Sequence, residues 1–314
     1  AASSDDFPMT GGMLLTGEIV GFPVNTFVCS STLIAPDTVL LAAHCLDTDA
    51  ISFGLGVDNM KVYWTTQADL TEWDGSNENP VLPSDAIEAV DWVLHEDFDI
   101  YSLQVGLADN KDIALLFLSE PILDIEPAYL PTPAEDSNIQ EGDLAFVVGW
   151  GQQIATGQQE QMPAGSFAIK QQGESYVSLM AEYEIKIGEL ETDVRKCHGD
   201  SGGPSFWEAS NGLRLIGVTS HAYDESDCFE TGGVDTRVGY YLDWIEAEMI
   251  ARCDNGTRSW CEEKGILPYD YFNQEEEEEL EEEEGKFFGC SSSPFELFLS
   301  LPLIAFIGLT RRRY

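Results

Sequence analysis

Three side chains in this sequence have surroundings that suit nucleophilic chemistry. Ser201 lies between glycines in the stretch CHGDSGGP, residues 197–204. His44 is near the end of the apolar segment LLAAHC, and Asp112 begins the apolar segment DIALLFL. A serine hydroxyl becomes a good nucleophile when an imidazole accepts its proton, and a carboxylate can orient that imidazole and stabilise its charged form. Because Gly and Ser also crowd into ordinary turns, the motif around Ser201 is weak evidence by itself.

The G-x-S-x-G pattern also marks the nucleophile turn of α/β-hydrolases, where the acid and the histidine follow the serine along the chain. After Ser201 the sequence contains one histidine, His221, and the only acid between them is Glu208. The segment ELETDVRKCHG before Ser201 does not have the pattern of a strand. We therefore reject the α/β-hydrolase interpretation.

Short apolar runs rich in Val, Ile, Leu and Phe must position these side chains. They extend from Leu14 to about Ile250 and are separated by Gly, Pro, Asn and Asp. This spacing predicts an antiparallel all-β sandwich or barrel. Only residues 240–252, YYLDWIEAEMIAR, have a helical period, with Ile245 and Met249 on one face. The sequence therefore predicts an all-β domain that ends in a helix.

Together these motifs resemble the trypsin-like serine proteases, which have the chymotrypsin fold. The chain order His44, Asp112, Ser201 matches, Cys29 lies fifteen residues ahead of His44, and the segments VVGWG and VTSHA follow in the expected places. The resemblance spans about residues 14–250. It implies two six-stranded antiparallel Greek-key β-barrels with the catalytic cleft between them, a C-terminal helix, and hydrolysis of peptide bonds through an acyl-enzyme.

The resemblance also implies roles for single residues. Ser201 is the expected nucleophile, His44 the general base and then acid, and Asp112 the group that orients His44. The backbone N–H groups of Gly199 and Ser201 are expected to hold the oxyanion, and one such donor lowers the barrier by about 3 kcal/mol. Asp200 corresponds to the aspartate that usually pairs with a freed N-terminus, but no such terminus is obvious, so the activation step stays open. The expected substrate-binding residues are Arg195, His198, Ser220, His221, Ala222 and Asp235.

Arg195, six residues before Ser201, is predicted to lie at the floor of the primary specificity pocket. An arginine there favours an acidic side chain before the scissile bond. His198 and His221 flank the same cleft and add positive character. Asp235 is a candidate partner that would neutralise Arg195, because an unpaired buried arginine costs several kcal/mol. The sequence thus leaves two alternatives open. The pocket either favours an acidic residue before the scissile bond, or it has no such preference because Asp235 neutralises Arg195.

The chain has seven cysteines in local groups, which is typical of an exported, oxidised protein. Two pairings, Cys29–Cys45 and Cys197–Cys228, are implied by the resemblance. Cys253–Cys261 closes a small loop after the final helix, and Cys290 is left over. Residues 69–79, DLTEWDGSNEN, form an oxygen-rich loop for which calcium binding and a plain solvated loop are both open. We expect no other cofactor, and no spacing suggests structural zinc.

The composition is strongly acidic, with 57 Asp and Glu against 15 Lys and Arg and a formal net charge of -42. Such a surface repels nucleic acids and anionic lipid head groups, so we expect protein or peptide substrates and no nucleic acid partner. It would suit a saline environment that screens the self-repulsion.

The end of the chain predicts further segments after a peptidase domain at residues 1–252. Residues 253–289 contain the cysteine loop and a glutamate run, which we interpret as an extended stalk. Residues 290–314 combine a Gly-Cys step, an apolar stretch and three arginines, and resemble a bacterial C-terminal sorting signal. A buried core helix and a eukaryotic lipid-anchor signal are the alternatives.

This tail implies processing near Cys290 and attachment at the surface of a bacterial cell, after a signal peptide has directed export. We expect a monomer that meets the membrane only through its tail. The alternative function is a non-catalytic surface binding or adhesion module that retains the protease scaffold.

Overall fold

The structure is a computed structural model that describes residues 2, 3, 5–154, 166–190, 192–224 and 231–272. The chain divides into a compact unit, Ala1–Tyr269, and a second unit, Asp270–Tyr314. The glutamate run, Cys290 and the tail lie outside the described residues, and so does Cys228 with its predicted bond to Cys197. Those interpretations stay predictions.

The first compact unit contains two closed six-stranded antiparallel barrels, which confirms the predicted fold class. The strands of the first barrel are β1 Thr10–Ile19, β2 Phe22–Ala35, β3 Thr38–Leu41, β4 Asp58–Thr65, β5 Ile87–Leu94 and β6 Ala114–Leu118. Those of the second are β7 Leu144–Gly149, β8 Gln171–Met180, β9 Glu184–Ile187, β10 Pro204–Ala209, β11 Gly212–Ala222 and β12 Gly233–Arg237. The strands are ordered β1-β2-β3-β6-β5-β4 in the first barrel and β10-β11-β12-β9-β8-β7 in the second.

Apolar side chains explain why β3 and β6 form the buried wall of the first barrel. Every residue of TVLL in β3 and of ALLFL in β6 is buried, and all but Thr38 are apolar, so these strands do not alternate between buried and exposed residues. The β1–β2 connection is a two-residue turn in which Val20 and Gly21 both have positive φ, 52° and 77°. Such a turn matches the twist of a hairpin. β1 therefore ends at Ile19.

The helices are short, except for the one that follows the last strand of the second barrel. The α-helices in the described residues are α1 Thr48–Ser52, α2 Pro133–Asp136 and α3 Leu242–Asp254. α3 confirms the predicted C-terminal helix with a shift of two residues, and it buries Ile245 and Met249. In the described part of the chain, no helix has the length and apolar character needed to cross a membrane.

The segment after α3 packs against the barrels, which differs from the predicted domain boundary at residue 252. Cys253 and Cys261 form the expected disulfide. Arg258 then forms a fully buried ion pair with Asp37, with 2.7 Å between Nη2 and Oδ1. Further along, the ring of Tyr269 lies 4.3 Å from the Arg214 guanidinium of β11. The compact unit therefore continues to Tyr269.

Candidate active site

His44 and Asp112 meet because their strands are neighbours in the first barrel. His44 lies in a 3₁₀ turn just after β3, Asp112 lies two residues before β6, and β3 pairs with β6. The Asp112 carboxylate accepts from His44 Nδ1 at 2.7 Å and from the His44 backbone N–H at 2.9 Å. The Cys29–Cys45 disulfide joins β2 to the same turn. The imidazole is thus held with a proton on Nδ1 and its Nε2 free to act as a base.

His44 and Asp112 each stabilise the charged form of the other in the folded protein. Burial lowers the pKa of His44, but attraction to Asp112 and their hydrogen bond outweigh it, so the pKa is raised above 6.5. Burial raises the pKa of Asp112, but the His44 and Ser220 contacts outweigh it, so the pKa is lowered. Asp112 is therefore a carboxylate at neutral pH although its side chain is fully buried.

The second barrel completes the surroundings of Asp112. Ser220 on β11 donates from its hydroxyl to Asp112 Oδ2 at 2.5 Å. Thr236 on β12 donates from its hydroxyl to the Asp112 carbonyl at 2.8 Å. These two bonds join the barrels at Asp112, one at its carboxylate and one at its backbone carbonyl. Ser220, predicted only as a substrate-binding residue, therefore also contacts Asp112.

The loop that carries Ser201 is fixed by Ser30 of β2. The Ser30 N–H donates to the Ser201 carbonyl at 2.9 Å, and the Ser30 hydroxyl donates to the Gly199 carbonyl at 2.9 Å. Gly199 has φ of +95°, and a Cβ there would lie 2.7 Å from the Phe167 ring. Only glycine fits this turn without displacement.

Ser201 and His44 line one cavity. Among the described residues, no hydrogen bond joins the Ser201 hydroxyl to the His44 ring, and neither the Gly199 nor the Ser201 backbone N–H donates a hydrogen bond. In apo structures, catalytic hydrogen bonds are often long and shorten when substrate binds. The His44 imidazole and the Ser201 hydroxyl thus share one cavity, and two N–H groups of the loop that carries Ser201 have no acceptor among the described residues.

Asp200 points away from this cavity into the protein. Its carboxylate accepts from the Gly151 N–H at 2.8 Å and from the Cys197 N–H at 2.9 Å. Cβ atoms at Gly149 and Gly151 would approach this carboxylate to 2.1 and 2.4 Å, which explains why both are glycine. Burial raises the pKa of Asp200 to about 6. In the described part of the chain Asp200 has no ion-pair partner.

The pocket beside Ser201 has Lys196 at its floor, and Lys196 is a residue that the sequence analysis missed. Its ammonium donates to Asp235 Oδ2 at 2.6 Å, to the Ser205 hydroxyl at 2.6 Å and to the Thr219 hydroxyl at 2.9 Å. Ser205 also donates to Asp235 at 2.6 Å. All three ammonium donors are therefore used, and the buried pair carries no net charge.

The prediction that Arg195 occupies this floor is wrong. Its guanidinium turns to the other side of the chain and donates to the carbonyls of Glu189 and Leu190 at 2.8 and 2.6 Å. Asp235 consequently pairs with Lys196 and not with Arg195. Arg195 and Lys196 are neighbours in a segment without regular secondary structure, and the structure directs the second of them to Asp235.

The remaining predicted pocket residues do line the cavity, in agreement with the sequence analysis. They are His198, Ser220, His221 and Ala222. Ile100 and Leu103 also line it, and they form an apolar side that the sequence did not reveal. These two residues come from the chain between β5 and β6, where no motif signals a binding role.

No site for a resident metal is evident in the described residues. One group of potential ligands converges there, formed by Cys29, His44 and Cys45, but its cysteines form a disulfide and cannot bind as thiolates. In the loop of residues 69–79, Asp69 accepts from the Thr71 N–H and Asp74 accepts from the Ser76 N–H. Both carboxylates thus bond to the backbone two residues further along the chain. Calcium binding in this loop stays a prediction.

Two β-barrels with a histidine, an aspartate and a serine at their junction define the class of chymotrypsin-fold serine proteases. Residues 2–245 match the family model described as Trypsin. The chain is 30% identical over 243 residues to the CLIP domain-containing serine protease HP8 of Bombyx mori. The matched region covers 71% of this chain and 62% of that protein. The chain is also 30% identical over 233 residues to chymotrypsin-C of Bos taurus, covering 70% of this chain and 78% of that protein. This chain therefore belongs to the trypsin family.

Proposed function

We propose that the protein is a serine endopeptidase whose triad is Ser201, His44 and Asp112. The observation that carries this proposal is the hydrogen bond between the buried Asp112 carboxylate and His44 Nδ1, together with the cavity that His44 and Ser201 both line. A carboxylate at Nδ1 leaves Nε2 as the only ring nitrogen that can take a proton from the serine.

The reaction follows from these positions. Ser201 Oγ attacks the scissile carbonyl carbon while its proton passes to His44 Nε2, and the Gly199 and Ser201 N–H groups receive the developing oxyanion. The tetrahedral intermediate collapses as the C–N bond breaks and His44 returns the proton to the leaving amine. A water then attacks the acyl-enzyme, with His44 again as base, and Ser201 leaves with the proton.

We further propose that the pocket accepts an uncharged side chain before the scissile bond. Lys196 and Asp235 neutralise each other at the floor, so a charged substrate side chain has no unpaired opposite charge to meet. The sequence-based acidic preference rests on Arg195, whose guanidinium is bonded to two backbone carbonyls elsewhere. A preference for Glu or Asp remains the alternative that a peptide panel can detect.

A fluorophosphonate probe tests the peptidase proposal directly. We expect covalent labelling of wild-type protein at Ser201 and none in Ser201→Ala, with hydrolysis of peptide amides lost in the same variant. Ser205→Ala is a matched control, since Ser205 lies in the pocket floor and should still permit labelling at Ser201. Absence of labelling in a folded wild-type protein would instead favour the non-catalytic binding module.

Location and partners are proposed on the same basis. Disulfides in the described chain indicate folding in an oxidising compartment. Export, a bacterial cell surface anchored through the tail and a monomeric state are proposals from the sequence. Mass spectrometry of the mature protein tests processing near Cys290, and calorimetric titration tests calcium at residues 69–79.

A further inference from the structure

His221 belongs to an unusual hydrogen-bond chain that reaches the catalytic carboxylate. Its Nδ1 lies 3.0 Å from Ser220 Oγ, and its Nε2 lies 3.1 Å from the Gly106 carbonyl. Ser220 Oγ is itself 2.5 Å from Asp112 Oδ2, which also accepts from His44. Two histidines therefore flank one carboxylate, and Ser220 mediates the contact of the second.

The hydrogens of this chain can be assigned by counting. Two oxygens 2.5 Å apart need a hydrogen between them, and because Asp112 is ionised that hydrogen comes from Ser220. The Gly106 carbonyl can only accept, so His221 Nε2 must carry a proton. With its single hydrogen directed to Asp112, Ser220 can only accept from His221 Nδ1. Either neutral tautomer of His221 leaves one pair of lone pairs facing each other, and only the imidazolium satisfies both contacts.

We propose that His221 is a positioning residue of the catalytic apparatus, which in its protonated form donates to Ser220 and, through it, holds Asp112 between two imidazoles. This inference rests on the proposed peptidase function. A hydroxyl that accepts from a cation becomes a stronger donor, so the bond from Ser220 to Asp112 strengthens when His221 gains its proton.

Burial and the charged groups around His221 determine the pH at which its imidazole gains a proton. Burial lowers its pKa below 6.5, opposed by the Gly106 bond and by Asp112, while His44 lowers it further. On the neighbouring β12, Asp235 also faces this region, but its charge is balanced by Lys196. His221 is therefore neutral at about pH 8, and its bond network is complete only under acidic conditions.

The two histidines are then expected to titrate as a coupled pair. A positive His221 disfavours a second positive charge on His44, so His44 keeps its base form to lower pH than it would alone. Charges separated by three hydrogen bonds shift each other's pKa by about half a unit to one unit. At a pH low enough to protonate His221, the protein should therefore retain up to about three- to tenfold more activity than it would without His221.

The pH profile of kcat/KM tests this in His221→Gln, with His198→Gln as a matched control. His198 is the exposed histidine of the same cavity. We compare each variant with its own kcat/KM at about pH 8. On the acid limb, kcat/KM of His221→Gln should fall up to about three- to tenfold further from that reference than kcat/KM of wild type does, while His198→Gln keeps the wild-type shape. If the pH profile of His221→Gln equals that of wild type, the proposal is overturned. A loss by the same factor at every pH overturns it as well, because a merely structural role gives a uniform loss.

Nitrogen-15 spectra of wild-type protein labelled in its four histidines provide a readout that needs neither activity nor a variant that folds. We expect His221 to carry protons on both nitrogens in acid, and His44 to show a second titration step as His221 titrates. Independent single-step titrations would refute the coupling. If the wild type lacks both hydrolysis and probe labelling, the proposed function fails, whereas these spectra still decide the role of His221.

Discussion

The charge-paired pocket floor makes a prediction about specificity that can be tested by separating its two charges. Asp235→Asn leaves the Lys196 ammonium buried with only neutral partners, and Lys196→Met leaves the Asp235 carboxylate with Ser205 alone. In the first variant the pocket becomes positive, and in the second it becomes negative. A substrate side chain of opposite charge can then replace the missing partner.

The expected size follows from the burial of the pair. Lys196 and Asp235 have side-chain exposures of 5% and 0%, so removing one partner leaves an uncompensated charge in the protein interior. Truncating one side of such a pair costs about 2–5 kcal/mol. If the substrate charge recovers about 2–4 kcal/mol of this, kcat/KM for the charged substrate rises about 30- to 700-fold relative to its neutral isostere.

The assay compares peptides that differ only before the scissile bond, as the pairs Glu with Gln and Lys with Met. Wild type should prefer the uncharged member of each pair. Asp235→Asn should raise the Glu to Gln ratio, and Lys196→Met should raise the Lys to Met ratio. Arg195→Met is the control that should leave both ratios unchanged, because the Arg195 guanidinium contacts backbone carbonyls away from the pocket.

If Arg195→Met alters the charge preference while Asp235→Asn does not, then Lys196 and Asp235 do not determine the charge of the pocket. Loss of folding is monitored separately by thermal unfolding of each variant. The double replacement Lys196→Met with Asp235→Leu removes both charges at once, and apolar replacement of a buried pair is often neutral or stabilising. This double variant should therefore be more stable than either single variant and should favour apolar side chains.

Three further outcomes are expected. Asp112→Asn should lower kcat about 10⁴-fold, and it should move the acid limb of kcat/KM to lower pH, because the pKa of His44 is raised by this carboxylate and activity is lost as pH falls through that pKa. Arg258→Met should lower the free energy of unfolding in urea by about 3–5 kcal/mol, since Asp37 stays buried without its partner. The exposed Lys264→Met should change it by less than about 1 kcal/mol. Finally, the melting temperature should rise between about 0.1 and 1 M NaCl as salt screens the net charge of -42, and a melting temperature that does not rise would count against adaptation to salt.

The fold could be predicted from the sequence because its decisive signals are local. The apolar runs TVLL and ALLFL are fully buried strands, and each is followed or preceded within three residues by a predicted catalytic side chain, His44 or Asp112. The motif around Ser201 needs glycine at position 199 because the turn requires a positive φ there, and glycine adopts a positive φ without steric cost. Residue type and order therefore carried most of the information about the junction of the barrels.

The pocket floor and the segment after α3 could not be predicted in the same way. Arg195 and Lys196 are consecutive cations in irregular chain, and only the tertiary structure decides which one faces the pocket. Arg258 reaches an aspartate 221 positions earlier in the chain, a separation at which no periodicity exists. Both cases involve a charge whose partner is distant in sequence, and a single sequence holds no signal for such pairs.

The groups that carry the chemistry are also the groups that join the two barrels. Asp112 of the first barrel accepts from Ser220 of the second, and Ser30 of β2 holds the carbonyls of Gly199 and Ser201. A substitution at Ser220 or Ser30 therefore removes contacts between the barrels as well as contacts at the site, and its effect on rate cannot be assigned to chemistry until the stability change is known. Ser201 differs, because within the described residues its hydroxyl forms no hydrogen bond and its removal breaks no contact between the barrels. Ser201→Ala is for this reason the variant in which a loss of activity reports the missing nucleophile alone.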